Sequence, residues 1–171
     1  LFHWTVGGMG LTGVIIRCSI QLKKITSGWI NQKNIVNNNL EETINSFHDH
    51  KNSTYSVAWI DCLASGDSFG RSILMLGEHV EKNELNSELI TYPKRKKQNF
   101  SLFFDTPSFT LNNFSVSIFN KLYFNSQKNK KSFYVDWDSY FYPLDSIGNW
   151  NRIYGKKGFF QFQCILPNKS S

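Results

Sequence analysis

Cysteine is scarce in this chain, appearing only as Cys18, Cys62 and Cys164. The three are far apart and odd in number, so there is no disulfide framework and no CxxC pair, and a reducing compartment is the default. Cys18 and Cys62 sit inside the apolar runs VIIRCSI and AWIDCLA and are expected to behave as small buried hydrophobes. Long apolar runs are missing as well: nothing approaches the roughly 20 residues that cross a bilayer as a helix, and no signal-peptide pattern is visible. Histidine gives no metal pattern. His48 and His50 fall two apart on an expected helix and point to different sides, so no metal is expected. GxSxG, Cys–His and HExxH arrangements are all lacking.

What is present describes a folded globular protein. Hydrophobic residues make up 40% of the 171 and aromatics 16%, enough for one domain with a core, or one domain plus a piece of another. The net charge is +6, which permits anionic partners. The lysines are scattered, however, and the one dense run, YPKRKK (Tyr92 to Lys97), reads as a solvated loop. No nucleic-acid motif accompanies it, and no nucleic-acid partner is expected.

GVIIRCSIQLKKI (Gly13 to Ile25) alternates like a long strand, and SGWINQKNIV like a second. NNNLEETINSFHDH places Leu40, Ile44 and Phe47 at helical spacing, with Asn39 as N-cap and Glu41 and Glu42 in the first turn. TYSVAWIDCLA and RSILMLGEHV are two strands joined by a hairpin-like connection. A long polar loop from Glu81 to Pro107 follows, then an amphipathic helix capped by Asn112 or Asn113. KSFYVDWDSYFYPLD reads as a strand ending at Pro143, GNWNRIYGKKG as a loop, and FFQFQCILP as a final strand. The order predicts an α+β fold, a mostly antiparallel sheet with helices on one face. Both ends are expected to continue into something longer.

GGMGLTG lacks the GK[ST] of a phosphate loop, and its glycines lead into a strand instead of following one, so on pattern alone it is a structural turn. The densest polar and aromatic constellation runs from Tyr140 to Gln163. If FFQFQ is a strand, Gln161 and Gln163 share one face and Phe160 and Phe162 the other. Amides in line beside Trp and Arg suit the hydroxyls of a sugar, and equally a solvated sheet surface. Tyr55, Val57, Trp59 and Asp61 also share a face, so Trp59 is either core or the floor of a pocket.

Three stretches, FHWTVGGMGLTGVIIR, YSVAWIDCLASGDSFGRSILMLGEH and YFYPLDSIGNWNRIYGKKGFFQFQCILP, together resemble FAD-linked oxidases of the vanillyl-alcohol-oxidase superfamily, in its decaprenylphosphoryl-β-D-ribose oxidase-like branch. The resemblance implies that residues 1–25 are the C-terminal edge of an FAD-binding domain and 26–171 part of a substrate (cap) domain. It implies FAD contacts at Gly8, Gly10, Gly13 and Ile15. It places a sugar pocket on Trp59, Phe141, Tyr142, Trp150, Asn151, Gln161 and Gln163, with Arg152 supporting the loop. Catalytic residues would lie outside this chain. Characterised members of that branch carry Tyr–His before PLD where this chain has Phe141–Tyr142, so the resemblance implies different substrate contacts there.

The implied function is flavin-dependent oxidation of a sugar hydroxyl, on a polyprenyl-phosphate sugar used in cell-envelope synthesis. The resemblance also allows an NAD(P)H-dependent reductase partner and peripheral membrane association, in the cytoplasm or periplasm. A sugar-lactone oxidase, or a non-catalytic module binding a sugar or lipid phosphate, are the alternatives.

Overall fold

The computed structural model describes residues 1–94, 100–107, 109–128 and 132–163. A short helix α1 (Phe2–Thr5) opens the chain. The strands are β1 (Trp29–Asn37), β2 (Tyr55–Ile60), β3 (Ser72–His79), β4 (Phe100–Ser101), β5 (Ser132–Asp136) and β6 (Ile147–Gly148). Three further helices, α2 (Leu40–Asp49), α3 (Asn113–Gln127) and α4 (Trp137–Phe141), lie between them. Four strands form one sheet in the order β2-β3-β1-β5, antiparallel throughout. The α+β architecture with a mostly antiparallel sheet is as the sequence predicts, but the helices, expected on one face, take both, because α2 docks through Thr43 and Ser46 on the face opposite α3. A two-residue parallel pairing of β4 with β6, which no sequence pattern announces, ties the stretch after residue 100 to the Ile147 turn.

Register assigns the faces. Val36 pairs with Ile73 and Trp59 with Ile73, so Ile30, Gln32, Asn34, Ile73, Gly77 and Trp59 point one way, and Asn37, Ser72 and Leu74 the other. Helices α3 and α4 lie on the first face: Asn34 Nδ2 donates to Gln127 Oε1 at 2.9 Å, and the Tyr140 ring sits over Gly77. Helix α2 takes the second face, through Thr43 Oγ1 at 2.7 Å from Ser72 Oγ and Ser46 Oγ donating to Asn37 Oδ1 at 2.6 Å. It docks by its hydroxyls, since Thr43 is its buried residue while Leu40, Ile44 and Phe47 stay partly exposed. The apolar core is small, comprising Ile30, Ile73, Leu74, Leu76, Val80 and Phe124.

The caps follow the sequence. Asn39 accepts from the Glu42 amide, and Asn112, of the two candidates, accepts from Phe114 and Ser115. Asp136 corrects the strand expected to reach Pro143: its carboxylate accepts from the Ser139 amide, ending β5 and starting α4. Two other expected strands do not form. Gly13 to Ile25 is exposed along its length and has no ladder partner among the described residues. A strand is stable only where a neighbour pairs with it and packs on it, and here Ile16 is 96% exposed. Residues 159–163 are likewise unpaired, so Phe160 and Phe162 are exposed rather than turned to a core; the rest of that expected strand, with Cys164, lies outside the described residues. Cys18 and Cys62 are exposed, not buried, because Cys18 belongs to the unpaired stretch and Cys62 falls in the turn after β2.

Candidate functional site

The residues proposed for a sugar pocket sort into separate ring clusters. Phe141, at the end of α4, meets Tyr55 edge-on at 5.0 Å and its neighbour Tyr140 at 5.1 Å. Tyr142 lies edge-on to Trp137 at 6.3 Å. Trp150 belongs to a third group with Tyr154 and Phe159 at 6.3 and 5.3 Å. Trp59 is on the first sheet face beneath α3, 5.0 Å from Tyr123. Asn151, Gln161 and Gln163 are exposed. Arg152 fastens the loop: its Nη1 donates to the carbonyls of Leu102 and Phe103, while Thr106 N donates to the Arg152 carbonyl at 3.0 Å.

The Phe141 cluster has a polar side. His79 Nε2 is 3.2 Å from the Tyr55 hydroxyl, and the Tyr140 hydroxyl has no hydrogen-bond partner among the described residues. Burial, helped by the Glu78 charge and Tyr55, holds the Tyr140 phenol above its ordinary pKa. Burial, with Lys23 adding to it, holds the His79 imidazole below its own, against the pull of Glu78 and Glu81. His79 is therefore neutral at pH 7, able to share a hydrogen bond but not to supply a charge.

The candidate flavin contacts lie on the exposed opening stretch. Gly10 and Gly13 have φ of 80° and 121°, and a Cβ built on either meets nothing within 4 Å. Gly8 differs: a Cβ there would collide with the Trp4 carbonyl, so it is needed for the turn closing α1. Ile15 is 62% exposed. The positive-φ backbone of Gly10 and Gly13 and the neighbouring Val14, Ile15 and Ile16 are open to solvent.

Between the β2–β3 connection and α3 lies a cluster that sequence reasoning did not assemble. Asp61, 2% exposed, accepts from Arg71 Nε and Nη2 at 2.9 and 2.6 Å, from Asn120 Nδ2 at 2.7 Å and from the Leu63 amide at 3.1 Å. Burial alone would raise its pKa; the bonds from Arg71, Asn120 and Leu63 outweigh burial and leave it lowered. Arg71 in turn stacks on Phe124 at 4.9 Å. The available signal was Asp61 sharing the strand face of Trp59; Asn120, deep in α3, gave none.

No family model matches the chain. Comparison with known proteins does find relatives. Over 99% of its length the chain is 31% identical to decaprenylphosphoryl-beta-D-ribose oxidase of Mycolicibacterium smegmatis. The resemblance holds. The chain spans 38% of that oxidase. A second relative, an uncharacterised protein in the mprA 5′ region of Streptomyces coelicolor, is 29% identical over 54% of the chain and 26% of its own length. No helix among the described residues is long and apolar enough to cross a membrane.

Proposed function

We propose that this chain serves an FAD-dependent oxidoreductase that oxidises a sugar hydroxyl, the sugar being carried on a polyprenyl phosphate. The observation carrying this reading is the 31% identity, which runs through 99% of the chain and is not confined to one motif. The exposed, bare backbone at Gly10 and Gly13 and the open face of Ile15 support FAD as the cofactor. When bound, the flavin supplies the two-electron acceptor for the hydroxyl-bearing carbon. The chain's own part is to bind and orient. Exposed Gln161 and Gln163 offer donors and acceptors to sugar hydroxyls, and the Trp150 and Phe141 clusters offer flat apolar surfaces for a sugar ring.

The test is Gln161→Ala in the full-length protein, as its gene encodes it, assayed with a polyprenyl-phosphate sugar. Loss of a polar contact predicts a KM raised about tenfold with flavin content unchanged. Unchanged KM and kcat would remove Gln161 from the pocket.

A further inference from the structure

We infer that the cleft between the β2–β3 connection and α3 is an oxyanion site, suited to a phosphate ester. Its volume is about 280 Å³, and its polar lining is Ser65, Ser68, Ser117, Arg71, Lys121 and Asp61. The one carboxylate among these is already spent: both Asp61 oxygens accept hydrogen bonds from within the chain, and Arg71 balances its charge. Lys121 makes no ion pair among the described residues, and the hydroxyls of Ser65, Ser68 and Ser117 donate to no group there. Asp67, on the same connection, does not line the cleft. What faces the space is an unbalanced ammonium, a guanidinium edge and three uncommitted hydroxyl donors. That set matches the several acceptor oxygens and negative charge of a phosphate, and charge-assisted bonds to it are the strong kind.

Gly66 takes φ of 60° within the connection, and Ser65 and Ser68 of that connection line the cleft opposite Ser117 and Lys121 of α3. Asp61 and Trp59 are two apart on one strand face, so the cleft begins about 7 Å from the Trp59 side chain. On the sugar-oxidase reading, which identifies only the phosphate's carrier, a sugar near Trp59 would direct its phosphate into this cleft.

The experiment is calorimetric titration of the full-length protein with inorganic phosphate and, separately, with a short-chain polyprenyl-phosphate sugar. Lys121→Gln should weaken both about tenfold, Lys121→Arg should stay within about twofold, and Lys51→Gln, remote from the cleft, should match wild type. Circular dichroism checks that each variant is folded. If neither ligand gives saturable binding, or Lys121→Gln behaves as Lys51→Gln does, the site is overturned. Binding of inorganic phosphate alone, lost in Lys121→Gln, keeps the oxyanion site and removes the lipid-linked sugar from it. Sugar binding that depends on Gln161 but not on Lys121 keeps the oxidase reading and removes this inference.

Discussion

Asp61 is an ionised carboxylate almost wholly removed from water, stable there only because four donors surround it. Removing its cation reverses the balance. Arg71→Leu is expected to cost about 3–5 kcal/mol at pH 7, measured by urea denaturation, because it strands a buried charge. The pH dependence should change as well. In the wild type the folded pKa lies below 3.8, so this contribution is intact above pH 3.8 and is lost as pH falls through the folded value. Arg71→Leu removes the Arg71 hydrogen bonds and charge that lower the Asp61 pKa, so its folded pKa should rise relative to the wild type and acidification should narrow the deficit. A variant whose deficit is equal at pH 7 and pH 4 would contradict this account. Little of this was legible beforehand. The alternation of β2 placed Asp61 on the Trp59 face, but Arg71 and Asn120 reach it from 10 and 59 residues away, and no local pattern encodes that meeting.

Helix α4 illustrates the same limit for whole elements. YVDWDSYF reads as strand on apolar content, yet the Asp136 side chain offers the Ser139 amide a bond that a ladder cannot, and the chain turns helical. That turn lays Tyr140 over Gly77, where a Cβ would come within 2.5 Å of the Tyr140 Cζ and 3.0 Å of Ile30 Cγ2. Gly77→Ala is therefore expected to cost roughly 1–3 kcal/mol by overpacking, read as a lowered Tm. Tyr140→Leu in the same chain should recover part of the loss. If the two substitutions are simply additive, α4 does not dock on β3 as described. Strands β1, β2 and β3, by contrast, were legible, because each shows its period and pairs with a neighbour also on the page. Gly13 to Ile25 shows an equally clear period and forms no strand, since alternation states a preference and only a partner fulfils it.

At the scale of the molecule, the chain is a four-stranded sheet with a modest core and much apolar surface outside it. Leu11, Val14 and Ile16 are 91–96% exposed on the opening stretch, and Phe160 is 94% exposed near the other end of the described residues. Exposed apolar patches of this kind commonly mark contact surfaces; these two adjoin, without including, Gly10, Gly13, Ile15 and Gln161. The candidate site is thus distributed: amides and rings on one side of the account, bare glycine backbone on another, and the Lys121 cleft beneath α3. Composition alone could not join these; on the proposed oxidase reading, which rests on 31% identity over 99% of the chain, they would serve one substrate and one cofactor.

The most direct test of that purpose is the visible absorbance spectrum of the full-length protein, recorded before and after anaerobic addition of a polyprenyl-phosphate sugar. The account predicts flavin bands in the purified protein that bleach on addition of the sugar. A protein that carries no flavin, or whose flavin stays oxidised with every phosphorylated sugar offered, would contradict it.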